Sequence, residues 1–212
     1  MHVPNKFKET NKDVLQNLIR SHPLGTWIIS VDDELDVNHI PFVLDSTQGK
    51  FGVLKGHVNI ANPVWKTLPT AKSSVIVFQG AETYITPSWY ASKQEHGKVV
   101  PTWNYAVVHA HGRANIVRDR DWLFEHLNAL TDQQEDKQSE PWKVADAPKD
   151  FTDKMINGIV GIEIPISALV GAWKTSQNKN QSDRAGIING LSNSKNSQST
   201  EMASYIAHQG RN

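Results

Sequence analysis

Residues 80–113 read GAETYITPSWYASKQEHGKVVPTWNYAVVHAHGR. Two apolar runs with strand character flank a polar connection. The first run ends in Thr86-Pro87-Ser88-Trp89-Tyr90, and the second begins at Pro101-Thr102-Trp103-Asn104-Tyr105. Proline fixes the backbone where each run meets the connection. Tyr, Trp and Phe favour strands in any case, so core packing accounts for any one of these rings. The paired clusters of proline, aromatic ring and Ser, Thr or Asn say more. They place hydrogen-bonding groups beside flat apolar surfaces, which is what a planar ligand with a polar edge requires.

Outward from this stretch the chain alternates between short strands and marginal helices. From Trp103 to Val117 the pattern has period two. Trp103, Tyr105, Val107, His109 and His111 share one face, and Asn104, Ala106, Val108 and Ala110 the other. This is the longest strand expected. Upstream, Val14, Leu15, Leu18 and Ile19 recur at helical spacing until His22-Pro23-Leu24-Gly25. Strands are expected over Trp27–Val31, Val37–Leu44, Lys50–Ile60, Ser74–Phe78 and Glu82–Thr86, with a helical turn over Val64–Leu68. Asp32-Asp33-Glu34 reads as a solvated acidic turn, and Ala91–Lys98 as a loop. Downstream, helices are expected over Asp119–Leu130 and Asp150–Asn157, and strands over Ile159–Ile164 and Ala168–Lys174. Short helical patterns follow over Asp183–Leu191 and Glu201–Gln209, separated by SNSKNSQST. Six or seven short strands with helices at the margins predict a mainly β fold, a small closed barrel with helical additions. One domain over residues 1–191 and a C-terminal linker and helix over 192–212 are expected.

Composition narrows the function. The chain has 212 residues with 22 basic and 22 acidic side chains, so it lacks the basic excess of a nucleic-acid binder. It contains no cysteine, which excludes disulfides, thiolate catalysis and Cys-ligated metals. The opening MHVPNKFKETNKD has no apolar signal core, and no run is long enough to span a bilayer, so the cytoplasm is the expected compartment. His109 and His111 have a spacing that could chelate a metal, but no neighbouring Cys, Asp or Glu completes a site, so no metal is expected. Phosphate loops, dinucleotide fingerprints and the common hydrolase motifs are all missing. His57 and Asn59 share a strand face with Asn62 on the following turn. They form either a satisfied turn network or a donor set for a phosphate or a heterocycle edge.

Four blocks resemble one known family: GHVNIANPVWK (Gly56–Lys66), FQGAETYITPSWY (Phe78–Tyr90), VPTWNYAVVHAHGR (Val100–Arg113) and WKTSQNK…DRAGIINGL (Trp173–Leu191). Together they are similar to the PaiB-like family, described as FMN-binding negative transcriptional regulators, over nearly the whole chain. The resemblance implies a split β-barrel, FMN as cofactor and a homodimer with flavin sites between subunits. Carried onto this sequence, it implies that His57, Asn59 and Asn62 receive the flavin phosphate and ribityl chain. Ser88, Trp89, Tyr90, Trp103 and Asn104 match positions near the ring, and Lys174, Gln177 and Asn178 match the family's C-terminal motif. Related oxidases carry an Arg-Lys pair after the third strand, where this chain has Asn62-Pro63. The reading is therefore an FMN-dependent regulator or sensor without autonomous DNA binding. Its alternatives are a flavin-dependent oxidoreductase acting on a small molecule and a haem-binding barrel.

Overall fold

The structure of the protein, a computed structural model, describes residues 1–31, 33–71 and 73–208. Asp32 of the acidic turn and Gln209 of the last expected helix lie outside them. Among the described residues there are nine strands: β1 (Lys8–Glu9), β2 (Leu24–Val31), β3 (Glu34–Pro41), β4 (Val43–Asp45), β5 (Val53–Asn59), β6 (Ser73–Ile85), β7 (Thr102–Gly112), β8 (Asn115–Val117) and β9 (Ile159–Lys174). The helices are α1 (Lys12–Ser21), α2 (Val64–Thr67), α3 (Ser92–His96), α4 (Arg120–Glu135), α5 (Lys149–Asn157), α6 (Gln181–Ser192) and α7 (Ser197–His208). The fold is mainly β with helical additions, as expected.

The chain divides into two compact units. One comprises residues 1–11, 79–108 and 170 onward, and the other comprises 12–78 and 109–169. Strands β6, β7 and β9 contribute residues to each.

The strands follow the order β3-β2-β6-β7-β9-β5-β4, with β8 also paired to β9, and in the second unit, 12–78 with 109–169, the β2–β3, β2–β6, β4–β5, β5–β9 and β8–β9 ladders are antiparallel. Residues alternate in and out along β2, where Trp27 and Ile29 are fully buried. The apolar stripe of α1 supplies Leu15, Leu18 and Ile19. β4 does not continue β3. The strand stops at Pro41, and Phe42 turns inward, donating its N–H to Pro23 O at 2.9 Å. β9 runs for 16 residues, where two shorter strands were expected. Pro165 removes one N–H from its ladder, but it still pairs with Val53, Ile166 N donates to Gly52 O at 3.0 Å and the strand runs on. β7, expected to be longest and to reach Val117, ends at Gly112, and β8 follows separately.

In the first unit, β1 pairs with the end of β9, matching Lys8 to Ala172 and Glu9 to Gly171. β6 passes through Gly80 without a break, because both Gly80 and Ala81 are buried and small enough for close neighbours. The connection 91–98 is not all loop. It forms α3, ended by Gly97 at φ +67, a conformation a Cβ would oppose. The last four residues of the SNSKNSQST run are helix, since α7 begins at Ser197. Met202 and Ile206 of that helix are fully buried in a cluster with Ala81, Ile85, Tyr90, Ile187 and Leu191.

Candidate functional site

The residues singled out from sequence fall into two groups, one in each unit. His57, Asn59 and Asn62 lie in the second. His57 and Asn59 end β5, and Asn62 sits on the turn that enters α2. Asn62 builds that turn. Its Oδ1 accepts from Val64 N at 3.0 Å, and its Nδ2 donates to Asn38 Oδ1 at 2.8 Å. Asn59 is exposed, and its Oδ1 accepts from Ala61 N at 2.8 Å.

His57 is half-buried and faces α4. Its Nδ1 lies 3.0 Å from Nε2 of His126, which is only 3% exposed. One of the two nitrogens carries the proton, so the pair is hydrogen-bonded with at least one neutral ring. Trp122, one helical turn before His126, stacks on it with ring centroids 5.3 Å apart, and its Nε1 donates to Glu163 Oε2 at 3.2 Å. Gly161, paired with His57 across the ladder, makes room for the indole. A Cβ at Gly161 would fall 2.5 Å from the Trp122 ring. Burial lowers the pKa of both imidazoles, that of His126 to about 3, aided by its neighbours His57 and Lys55. Near neutral pH, His57 is thus an uncharged ring held by a helix. Trp122 and His126 were not picked out from sequence. Their i, i+4 spacing on one helix face was the available signal.

The same unit contains an aromatic ring approached by two cations. Trp65 of α2 is half-buried, and its Nε1 donates to Ile60 O at 3.0 Å. Lys66 Nζ lies 5.5 Å from the centroid of the indole ring, and the guanidinium carbon of Arg118 lies 5.1 Å away. His109 and His111 sit with ring centroids 6.5 Å apart, and no cluster of three or more metal-ligating side chains occurs among the described residues.

The first unit contains the other eight residues. Ser88 is exposed on a 3-10 turn whose start is fixed by Thr86 Oγ1 accepting from Ser88 N at 3.3 Å. Trp89 is committed to packing. A Cβ at Gly190 would lie 2.4 Å from its indole, and one at Gly186 would lie 2.0 Å from its carbonyl oxygen, so α6 presents a glycine groove that the turn fills. Tyr90 is 2% exposed, and Lys179 Nζ stands 4.3 Å from its ring centroid. Burial, then the charge of Asp183, raises the Tyr90 pKa. Asp183 is itself buried and holds the start of α3, accepting from Ser92 N at 2.9 Å and Ser92 Oγ at 2.8 Å.

Asn104 is fully buried. Its Nδ2 donates to Ser176 Oγ at 2.9 Å, and its Oδ1 is a buried acceptor without a partner. Ser176 needs that support, because its φ of +61 is uncommon for a residue with a side chain. Gln177 closes the same turn, accepting from Thr175 N at 2.8 Å and donating to the Trp173 carbonyl. Lys174 Nζ donates to Thr102 Oγ1 at 2.7 Å, and Asn178 is exposed. Beside Thr102, Trp103 is 55% exposed and meets Tyr84, 47% exposed, edge-on at 6.1 Å.

The profile of a family described as "Putative FMN-binding domain" matches residues 1–168. The chain belongs to this family. Among its relatives is the protease synthase and sporulation protein PAI 2 of Bacillus subtilis, 30% identical over 208 residues, which span 97% of this chain and 96% of that one. An uncharacterized protein of Emericella nidulans is 35% identical over 228 residues, covering 91% of each chain. The PaiB-like resemblance and FMN as the family's ligand therefore stand.

Among solved structures, the fold is similar to that of the flavocytochrome Anf3 of Azotobacter vinelandii, with a TM-score of 0.61 at 14% identity over 87% of this chain and 78% of that one. It is also similar to an FAD- and haem-binding protein of Mycobacterium smegmatis, with a TM-score of 0.60 at 14% identity over 84% and 78%. At that identity the likeness establishes the split-barrel fold. No helix among the described residues is long and apolar enough to cross a membrane.

Proposed function

We propose that this PaiB-like protein is a cytoplasmic FMN-binding homodimer that serves as a flavin-dependent regulator or sensor. The observation that carries the flavin assignment is the exposed Tyr84–Trp103 pair next to the Lys174–Thr102 hydrogen bond. A large indole is left in solvent at the end of a strand, with an ammonium group fixed on the adjoining residue. An isoalloxazine ring needs such a flat apolar wall with a few placed donors at its polar edge. Asn178 and Ser88 are exposed polar groups of the same unit. Trp89, Tyr90 and Gln177 act as positioning residues, because their rings or polar atoms are already engaged with α6, the cluster or the Ser176 turn, whereas Asn104 spends its amide nitrogen on Ser176 and keeps its Oδ1 unpaired. When bound, the flavin supplies the electron-transfer chemistry, and the residues of this chain bind and orient it.

Large apolar side chains left in solvent support the dimer. Leu35 is 70% exposed and Val37 50% on β3, which ends the strand order, and Leu24 of β2 is 62% exposed. An edge of this kind is normally covered. Net neutrality supports regulation without autonomous DNA binding.

The test is a titration of the purified protein with FMN and riboflavin, read by flavin fluorescence and absorbance. FMN binding is expected, with Trp103→Ala weakening both flavins. A protein that binds neither flavin, or that carries a haem spectrum, overturns the assignment. Steady NAD(P)H oxidation with FMN present would mark an oxidoreductase instead of a sensor. A monomer by light scattering at micromolar concentration would remove the dimer.

A further inference from the structure

Within the second unit, α4, α5 and the turn at 144–147 line a cavity of about 320 Å³. That volume is at the small end of the range for ligand pockets, roughly 300–1,000 Å³. Part of the lining is apolar. Val144 and Ile156 are buried, and Phe124 is 42% exposed.

Four charged residues line the same cavity: Arg120, Asp121, Lys149 and Asp153. Arg120 donates through Nη2 to Asp153 Oδ1, and Lys149 Nζ donates to Asp153 Oδ2 at 2.7 Å. Asp153 is the one partner of each cation among the described residues, so a single carboxylate faces two positive charges. Asp121 is exposed and has no hydrogen bond or ion pair among the described residues.

Stability explains only part of this arrangement. The Arg120–Asp153 pair ties α4 to α5, and Lys149–Asp153 is an i, i+4 pair in the weaker order, with the cation first. Arg120 and Lys149 are the first residues of their helices, where the helix dipole disfavours positive charge. Neither helix gains from its own cation, and an ion pair needs no apolar cavity beside it.

We propose that this cavity binds a small apolar α-amino acid. Such a ligand carries a carboxylate, an ammonium group and an apolar side chain, and the lining answers each of them. The carboxylate takes charge-assisted hydrogen bonds from N–H groups that Asp153 leaves unused, since a guanidinium has five and an ammonium three. The ammonium group neutralises Asp121. The side chain lies against Phe124, Val144 and Ile156, which removes apolar surface from water. A simple carboxylate would leave Asp121 unpaired, and a simple amine would leave the surplus of positive charge at Asp153. Arg120 and Asp121 are adjacent in the chain, which suits two opposite charges carried on one carbon atom. The site lies within one compact unit and rests on no part of the flavin assignment.

The experiment titrates the full chain by calorimetry with phenylalanine, leucine, 3-phenylpropionate and phenethylamine. It uses wild type, Lys149→Gln, Asp121→Asn, Arg120→Gln and Phe124→Ala, with thermal melts to check folding. Lys154→Gln and Phe151→Ala are the controls, because both residues are exposed on α5 and neither lines the cavity. Wild type should bind phenylalanine or leucine saturably at one site. 3-Phenylpropionate lacks the ammonium group and phenethylamine lacks the carboxylate, so each should bind at least tenfold more weakly than phenylalanine. The four cavity variants should each lower amino-acid affinity roughly 5- to 50-fold, with both controls like wild type. The Lys149 side chain is 86% exposed and Asp121 has no partner to lose, so these two variants decide the matter even if Arg120→Gln fails to fold. No saturable binding of either amino acid in the millimolar range overturns the proposal. So does equal binding of 3-phenylpropionate, which would make the ligand a simple carboxylate. Losses in the two controls as large as those in the cavity variants would show binding elsewhere on α5 and overturn it as well.

Discussion

Trp89 and Trp103 bracket the same connection, each follows a proline closely, and each has a polar neighbour. In sequence they are near equivalents. In the structure they are opposites. Trp89 lies in a groove made by Gly186 and Gly190 of α6, against a buried cluster, while Trp103 is 55% exposed with only the edge of Tyr84 beside it. The difference is decided by residues about a hundred positions downstream. Of two glycines four apart on one helix, Gly190 makes room for the indole and Gly186 for the Trp89 carbonyl, and no glycine is in such contact with the Trp103 ring. Trp122 is a third case, in which Gly161 opens the space and His126 supplies a stacking partner that can titrate.

That third case carries the largest expected effect. The pKa values of His57 and His126 are lowered below the ordinary 6.5, so the folded state holds these rings neutral while the unfolded chain protonates them. The stability this provides is complete above pH 6.5 and is lost as pH falls toward about 3. A tenfold difference in proton affinity between the folded and unfolded chain is worth about 1.4 kcal/mol, so the loss by pH 3 should reach roughly 4 kcal/mol. His126→Gln should flatten the acid limb of stability measured by urea titration at several pH values. An unchanged acid limb would show that the pair does not govern it.

Next is Trp89→Ala, expected to cost about 2–4 kcal/mol because it empties the α6 groove, whereas Trp103→Ala should cost less than about 0.5 kcal/mol. Equal losses in denaturant unfolding would erase the distinction between the two rings. Gly190→Ala places a methyl group where the indole lies and should cost about 1–3 kcal/mol. Combined with Trp89→Ala, much of that penalty should disappear, since the clashing ring is gone. The smallest stability effect, that of Trp103→Ala, should coincide with the clearest loss of flavin affinity, expected at roughly 5- to 50-fold for FMN and riboflavin alike. If Trp89→Ala weakened flavin at unchanged stability, the roles of the two tryptophans would have to be exchanged.

Much of the fold was legible in the sequence. The period-two alternation of β7 placed Asn104, Ala106, Val108 and Ala110 on one shared face, and the structure makes it the inner one, with all four fully buried. The apolar spacing of α1 and α4 marked both helices. Strand continuity was harder to read. Gly80 and Pro165 looked like breaks, but sheet pairing carried β6 and β9 past them, because a neighbouring ladder supplies the hydrogen bonds that local propensity does not. The candidate site was legible as a set of residue types and not as a set of roles. Asn62 and Gln177 spend their amides on their own turns, and Asn104 spends one of its groups on Ser176.

By itself the sequence determined the class of the fold, the family and the absence of any cysteine chemistry. Each is carried by composition, by contiguous motifs or by a short repeat period, all of which are local. Tertiary structure decided which rings remain free, that His57 is bonded to a histidine 69 positions away, and that Arg118 reaches the ring of Trp65. Those outcomes depend on the register of β5, β8 and β9 and on which glycines face which helices. Register is set by the burial of many side chains at once, so no single stretch of the chain encodes it.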